Sequence, residues 1–185
     1  MTGTYVIDPA HSTFAFVARH AMVTKVRGSF HEFDGTLTID GEDPTRSTGS
    51  LKIVATSIDT GNEQRDGHLR SNDFFDMDNH PELTFQSTGI EAVNEYEYKV
   101  TGDLTIKGVT KPVTLDTEYI GAAVDPYGNL RIGFEAKTVV NRKDWGVNWN
   151  APLEVGGVLV SEKVTIEIDI SAIKQVSDSS APTDA

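Results

Sequence analysis

Cysteine is absent from the sequence. The chain therefore has neither disulfides nor thiolate metal sites, and the absence is neutral on cellular compartment. Long hydrophobic runs are missing as well, since no stretch approaches the ~20 apolar residues of a membrane-spanning helix. The N-terminus shows neither the charged start nor the apolar run of a signal peptide. We therefore expect a cytoplasmic protein, an expectation that a leader in a homologue or an omitted leader would change.

Basic residues are scarce, with 16 Lys and Arg against 28 Asp and Glu and a formal net charge of −12. This field repels phosphate backbones, so nucleic acid is not an expected partner. It also disfavours adhesion to anionic membranes through a basic patch. The length of 185 residues fits one domain. We predict that this domain covers 1–174 and that 175–185, rich in Ser, Asp, Ala, Pro and Thr, forms a disordered tail.

Recognisable catalytic and metal-binding motifs are missing. The five histidines form no His-x-His or His-x-x-x-His pair and flank no zinc-type helix, so they read as isolated hydrogen-bonding residues. A Gly-x-Ser-x-Gly elbow is absent. His11 and Ser12 are strand neighbours that point to opposite faces, which is the wrong geometry for a dyad. The sequence predicts no cofactor and no metal.

What the sequence has in abundance is alternation of apolar and polar residues, the period-2 signal of half-buried strands. The clearest run covers 96–106, and an earlier run places Phe14, Phe16 and His20 on one face. The apolar parity switches between Phe30 and Phe33, as a β-bulge or a strong bend would cause. About eight strands in hairpin order fit a sandwich or a barrel. Their length, together with the glycine and bulge positions, favours an extended eight-stranded antiparallel barrel.

Alternation stops only in the stretch 57–75. Thr60 followed by Glu63 is a capping-box pattern, which predicts a helix of two to three turns. The adjacent rings of Phe74 and Phe75 are expected to point inward and to anchor it. We interpret the stretch as a short helix that closes one end of an all-β body.

A charged cluster follows the predicted helix start. Asp66 and Arg70 are spaced i,i+4, and Arg65 lies beside them. The cluster is either a structural ion pair that pins the helix or a polar rim that receives a ligand head group. The aromatic residues leave a second question open: eight Phe, five Tyr and two Trp could fill the barrel or line an elongated void.

Several segments, in this order, resemble the YceI-like family. The resemblance covers about residues 4–173. It departs from the family pattern at Trp145, where Phe is common, and in the lack of a secretion leader before Tyr5. The segments that carry the resemblance are Asp8-Pro-Ala-His-Ser-Thr-Phe-Ala-Phe with His20, Gly28-Ser-Phe with Phe33-Asp-Gly35, Ser57-Ile-Asp-Thr-Gly-Asn62, Arg65-Asp with His68-Leu69, Asp73-Phe-Phe75, Pro81 with Phe85, 102–112, 141–146 and 162–170.

The resemblance implies a lipocalin-like barrel closed by a short helix, with a tunnel that holds a polyisoprenoid, an isoprenoid quinone or a related lipid. It implies storage or transport of that lipid and no catalytic activity. Polar contacts near the head group are assigned to His20, Arg65 and His68. The tunnel residues that it implies are Phe14, Phe16, His20, Met22, Phe30, Phe33, Leu37, Leu69, Phe74, Phe75, Phe85 and Trp145.

Three alternatives to these assignments stay open. The chain could be an enzyme that acts on a prenyl or quinone substrate through His20 or the Arg65/Asp66 pair. It could also be a structural or stress protein with a filled core. Finally, the alternating last strand (164–170) could pair across the edge of a homodimer.

Overall fold

The computed structural model describes residues 1–177, and most of the predicted tail, 178–185, lies outside that part of the chain. The described residues contain eleven strands and one α-helix. They are β1 (Gly3–Ile7), β2 (Thr13–His20), β3 (Thr24–Phe30), β4 (Phe33–Ile39), β5 (Thr48–Val54), β6 (Ile58–Asp59), α1 (Glu63–Arg70), β7 (Glu82–Ala92), β8 (Glu97–Ile106), β9 (Val109–Val124), β10 (Leu130–Asn141) and β11 (Lys163–Lys174).

The strands form one antiparallel sheet that closes on itself. The order β1-β4-β5-β7-β8-β9-β10-β11 returns to β1, whose residues Tyr5 and Ile7 pair with Lys174 and Ala172. Closure gives each of these eight strands two neighbours, and β2, β3 and β6 extend the sheet beyond β11. The predicted eight-stranded antiparallel barrel is confirmed.

Three of the eight wall strands are broken in two, which accounts for the eleven segments. A 3-10 turn at Pro9–His11 separates β1 from β2, and another at Ala55–Ser57 separates β5 from β6. His31 and Glu32 separate β3 from β4, at the site where the apolar parity switches. The first two wall strands, β1/β2 and β3/β4, pair as two separate ladders on either side of the breaks: β1 pairs with β4, and β2 pairs with β3. The wall bends at these breaks.

The last strand has no edge left for a partner subunit. β11 pairs with β10 along its full length on one side. On the other side, Thr165–Asp169 pair with β2, and Ala172–Lys174 pair with β1. The predicted pairing of this strand across a dimer is therefore wrong.

Helix α1 begins differently from the prediction. Its N-cap is Asn62, whose Oδ1 accepts a hydrogen bond of 2.9 Å from the backbone N–H of Arg65. The predicted capping box of Thr60 and Glu63 does not form, because Thr60 turns to Asp66 instead. Asp66 Oδ1 accepts from the Thr60 backbone N–H at 2.9 Å and from its hydroxyl at 2.6 Å.

The charged cluster on α1 is structural. Arg65 donates from Nε to the Thr60 hydroxyl and from Nη2 to the Thr60 carbonyl, both at 2.7 Å. Arg70 reaches the Ile58 carbonyl and lies 3.6 Å from Glu63. The i,i+4 pair of Asp66 with Arg70 is absent from the ion pairs of the described residues. We call residues 60–80, the helix and its following loop, the plug.

An ion-paired group ties the start of the barrel to the β9–β10 turn. Arg131 donates from Nη1 to Asp8 and from Nε to Asp125, both at 2.7 Å. These hydrogen bonds from the Arg131 guanidinium hold the pKa of Asp125 well below its usual range and lower the pKa of Asp8. Both carboxylates thus contribute stability in their ionised form.

We predict that this group makes the fold acid-sensitive. Because the pKa of each carboxyl is lower in the folded protein, the unfolded chain binds protons first as the pH falls. The stabilisation by these carboxylates is therefore fully present above about pH 5 and is lost progressively below the pKa of Asp in the unfolded chain, near 3.9. Asp125→Asn should lower the urea midpoint at neutral pH and flatten its decline between about pH 5 and 3. Asp34→Asn, at an exposed site on β4, should change neither; an equal effect of both variants would contradict the assignment.

We also predict that Asp66 stabilises the plug. Asp66→Ala leaves the Thr60 N–H without its acceptor, and with Asp66 only 4% exposed the cost should be about 1–3 kcal/mol in free energy of unfolding. Glu63→Ala on the same helix, whose side chain is 93% exposed, should cost about 0.5 kcal/mol or less. Urea denaturation of both variants measures the difference, and equal costs would exclude this role for Asp66.

Candidate functional site

A cavity of about 610 Å³ runs through the barrel. Its size falls in the range of small-molecule sites, roughly 300–1,000 Å³. Hydrophobic and aromatic side chains dominate the lining and come from nearly every wall strand. The barrel is therefore hollow, and the alternative of a filled core is wrong.

The alternation of the long strands supplies most of the wall. In β8, Tyr98, Val100, Leu104 and Ile106 face the cavity, while the charged side chains between them face solvent. The same alternation in β9, β10 and β11 adds the lining residues Val113, Leu115, Thr117, Tyr119, Ile132, Phe134, Ala136, Val140, Val164, Ile166, Ile168 and Ile170.

Two glycines on the inward face keep the cavity open. A Cβ at Gly28 would lie 2.3 Å from the ring of Phe16, and one at Gly102 would lie 2.3 Å from the ring of Phe85. Each ring therefore lies across the glycine of the neighbouring strand, flat against the wall. A larger residue at either glycine would push its ring into the cavity.

The plug closes one end of the cavity. Leu69, Phe74 and Phe75 of the plug line this end. Trp145, 2% exposed, adds its indole and donates from Nε1 to the Leu104 carbonyl at 2.9 Å. Trp149 packs on the plug from outside, with its ring centroid 5.3 Å from that of Phe74. We call this the closed end.

One buried cation lies at the closed end. Arg142 is 7% exposed and lines the cavity. Its Nε, Nη1 and Nη2 donate to the carbonyls of Ser161, Val147 and Val160, at 2.8, 2.7 and 3.3 Å. Burial lowers the pKa of this guanidinium. Because these contacts are to backbone, Arg142 holds the loop after β10 in place.

The opposite end of the cavity is open. Lining residues are solvent-exposed there, among them Met1 and Tyr96, each 54% exposed, and Gly41, Pro44 and Glu95. The N-terminus, the β4–β5 connection and the β7–β8 turn form this rim. We call it the mouth.

The mouth is polar, and the charged side chains among its described lining residues are carboxylates, while Met1 brings its α-amino group to the rim and Arg46 lies 3.7 Å from Asp40. Asp40 and Glu95 line it. Backbone N–H groups of Asp43 and Glu42 lower the pKa of Asp40, so this group is ionised at neutral pH. Tyr119 also lines it, and burial raises the pKa of its phenol, which stays neutral. The mouth therefore offers hydrogen-bonding groups that suit a neutral head group, with its two carboxylates as the charged side chains of the lining.

Most of the sequence-predicted tunnel residues meet in this cavity. Those that line it are Phe14, Phe16, Phe30, Leu37, Leu69, Phe74, Phe75, Phe85 and Trp145.

Three predicted tunnel residues do not line the cavity. His20 ends β2, where its side chain is exposed, so the inward orientation predicted from its parity is wrong. Met22 lies in the following turn and is 64% exposed. Phe33 is buried, but it packs edge-on against Phe14 at a centroid distance of 4.6 Å, behind the lining.

The two plug residues that were predicted to contact the head group, Arg65 and His68, also lie outside the cavity lining. Arg65 is engaged with Thr60, as described above. His68 lies between Phe74 and Trp149, at centroid distances of 5.0 and 4.6 Å, and its Nε2 is 2.8 Å from Asp73. With His20 exposed as well, the head-group site predicted from these three residues does not form at the closed end.

The sequence-based assignment missed the linings of β8 to β11 and all of the mouth. The linings of β8 to β11 could have been predicted, since Val100, Leu104 and Leu115 follow the same alternation as Phe14 and Phe16. The mouth carried no such signal, because which ends of the strands stay uncovered depends on where the plug folds.

Within residues 1–177, no group of three or more His, Asp or Glu side chains is arranged to hold a metal ion. The sole α-helix of that part of the chain, α1, is too short to cross a membrane.

Comparison with known proteins assigns the chain to a family. A UPF0312 protein of Staphylococcus epidermidis is 40% identical over 161 residues, covering 86% of this chain and 91% of the relative. Burkholderia cenocepacia BcnA superposes with a TM-score of 0.79 at 23% identity, covering 89% of this chain and 98% of BcnA. A polyisoprenoid binding domain from Saccharophagus degradans has a TM-score of 0.68 at 14% identity, covering 95% and 100%. The model of the YceI-like domain matches residues 5–172, and the chain belongs to the YceI-like domain family.

Proposed function

We propose that the protein binds one long-chain amphiphile, of the polyisoprenoid or isoprenoid-quinone class, and stores or transports it without chemical change. The observation that carries the proposal is the apolar cavity of about 610 Å³ that runs from the plug to the mouth. A site for a compact polar substrate would need convergent polar groups along its walls. Here the polar lining residues are concentrated at the mouth.

The dimensions suit a chain rather than a compact molecule. Lining residues in and before β8 run from Tyr96 to Ile106. That span is about 33 Å along an extended strand, or roughly 25 Å along a barrel axis from which the strands tilt by about 40°. Each Å² of apolar surface that the tail removes from water contributes about 25 cal/mol, so a long apolar tail supplies most of the affinity.

The tail enters first and the head group stays at the mouth. The closed end is lined by the apolar plug and Trp145, and its one cation, Arg142, is engaged by three backbone carbonyls, whereas the mouth offers phenol hydroxyls and the carboxylates of Asp40 and Glu95. A neutral head, such as an alcohol, an amide or a quinone, can accept or donate hydrogen bonds there. A diphosphate would meet like charge.

Absence of catalysis is part of the proposal. The enzymatic alternative depended on His20 or on Arg65 with Asp66. His20 is exposed, and Arg65 and Asp66 are engaged with Thr60 outside the cavity lining. The Saccharophagus degradans domain, described as polyisoprenoid binding, shares the fold. It is compatible with the proposal, which depends on the cavity of this chain.

Mass spectrometry of an organic extract tests the proposal directly. Protein purified from its natural host should release a near-stoichiometric amphiphile with an apolar tail, and a mock purification should not. Saturating binding of an added C20 prenyl alcohol to the emptied protein is the second measurement. Failure of both would overturn the carrier function, and recovery of a chemically converted alcohol would establish an enzyme instead.

We predict that Ala136→Phe blocks the cavity. Ala136 lines the middle of the wall in β10, so a phenyl ring there would occupy the path of the tail. Binding of the prenyl alcohol should weaken about tenfold or more, because the loss of a few buried methylene groups suffices for that change. Val139→Phe, on the outward face of the same strand and 57% exposed, is the matched control. Equal affinities of the two variants would contradict the cavity assignment.

We also predict discrimination by head-group charge. The prenyl alcohol should bind more tightly than the diphosphate with the same tail, and the gap should narrow as salt screens the mouth carboxylates. Isothermal titration at low and high ionic strength measures both. Tighter binding of the diphosphate, abolished by Arg142→Met, would instead place the head group at the closed end.

A further inference from the structure

Two hairpins meet beyond the closed end of the cavity. One is the turn between β2 and β3, and the other spans 151–159. The Ala21 N–H donates to the Leu159 carbonyl at 2.7 Å, and His20 pairs with Val160. The Met22 sulfur lies against Gly157, where an added Cβ would be 2.2 Å away. The two turns therefore project side by side as one unit.

Apolar side chains occupy the ends of both turns. We call this set the apolar tip: Met22 is 64% exposed, Val23 75%, Val155 95% and Val158 38%. Scattered single apolar residues are ordinary on a surface. Four exposed apolar side chains on two adjacent turns form one projecting surface, and its contact with water is unfavourable in free energy.

The first of these turns is strained in a way that displays its apolar residues. Ala21 and Met22 have φ values of 50° and 64°, in the left-handed region, and the Val23 N–H bonds the His20 carbonyl. Such turns normally carry Asn or Gly at both central positions. Non-glycine residues in this conformation are an outlier that points to a use for the exposed side chains.

Basic residues flank the apolar tip, although the chain as a whole is strongly acidic. Arg19 and Lys25 are paired directly across β2 and β3, an arrangement of like charges that destabilises a strand pair. Lys163 starts β11, two residues before the Thr165 that pairs with Val17 on β2. These three cations form no ion pair with a carboxylate among residues 1–177.

The nearest carboxylates do not neutralise these cations. Glu167 is engaged by Arg27 at 2.7 Å, and Glu162 by Lys143 at 2.7 Å. Glu154 is the one acidic residue of the hairpin 151–159 and lies beside Val155. The apolar tip is therefore flanked by three cations against the one carboxylate of Glu154, whereas the plug at the same end of the barrel carries the acidic residues Glu63, Asp66, Asp73, Asp76 and Asp78.

We infer that the apolar tip and its flanking cations Arg19, Lys25 and Lys163 form a docking surface for an anionic lipid bilayer. The apolar side chains enter the boundary between head groups and acyl chains, and the cations contact the anionic head groups. The three cations beside the tip, which form no ion pair with a carboxylate among residues 1–177, favour a bilayer of this sign. The barrel then sits with its closed end at the membrane and its mouth in water. This inference does not depend on the identity of the cavity ligand.

Vesicle flotation of the full chain tests the docking surface. The protein should float with vesicles of phosphatidylcholine and phosphatidylglycerol at low salt, and not with phosphatidylcholine alone. The double variant Met22→Ser/Val155→Ser should lose binding about tenfold or more, since two buried side chains are removed from the bilayer. Its control, Val93→Ser/Val124→Ser, removes two apolar residues that are 57% and 67% exposed elsewhere on the barrel.

Charge is tested by a matched pair of reversals. Lys25→Glu should weaken binding at least about fivefold, whereas Lys111→Glu, which changes the net charge equally at an exposed position on β9, should leave it within about twofold. Far-ultraviolet circular dichroism confirms that each variant is folded. Absence of wild-type flotation would overturn the inference and leave a protein partner as the occupant of the tip. Equal loss in the test and control variants would overturn it as well. Failure here leaves ligand extraction unaffected, so the two proposals fail separately.

Discussion

The structure depends on β11, one edge of which pairs with two different strands, β2 and β1, along successive parts of its length. β10 occupies one side of this strand, while β2 and β1 share the other, with the 3-10 turn Pro9–His11 between them. Sharing closes the wall, because each half of the broken first strand finds a partner. It also lets β2 and β3 continue past the wall proper as a separate hairpin. The plug closes the end of the barrel beside that hairpin, where Leu69, Phe74 and Phe75 line the cavity. The order of plug, cavity and mouth thus follows from one shared strand edge.

A closed wall of this kind could still have been filled by its side chains, and the pairing of rings with glycines explains why it is not. Phe16 lies over Gly28 and Phe85 over Gly102, so two large rings lie against the wall instead of crossing the interior. Phe33 is withdrawn behind Phe14 by the break between β3 and β4. Aromatic count alone therefore says little about whether a barrel is hollow. Gly28 and Gly102 give two of the rings room against the wall, whereas Phe14 and Phe30, which also line the cavity, face each other across β2 and β3.

Alternation predicted the barrel and most of the lining because a buried face imposes period two on every strand that contributes to it. It failed where a residue leaves the regular wall. His20 keeps the parity of Phe14 and Phe16, yet it ends its strand and faces water. The plug was located correctly but capped incorrectly, since Asn62 and Thr60 both offer acceptors or donors suited to a helix start. The choice between them depends on Asp66, whose burial under the barrel end draws the Thr60 hydroxyl away. The mouth was beyond prediction, because it is defined by what the plug leaves uncovered.

Net charge is a poor guide to the charge of any one surface, because it averages over patches of different character. The carboxylates of Asp40, Glu95 and their neighbours surround the mouth, while Arg19, Lys25 and Lys163 flank the opposite end. Over distances shorter than the Debye length, about 8 Å at physiological salt, a surface responds to its own charges and not to the total. An acidic chain can therefore present a basic patch beside its apolar tip to a membrane. With the apolar tip at the membrane, the mouth lies at the far end of the barrel and faces water, so the proposed orientation depends on the local position of these cations and not on the total charge.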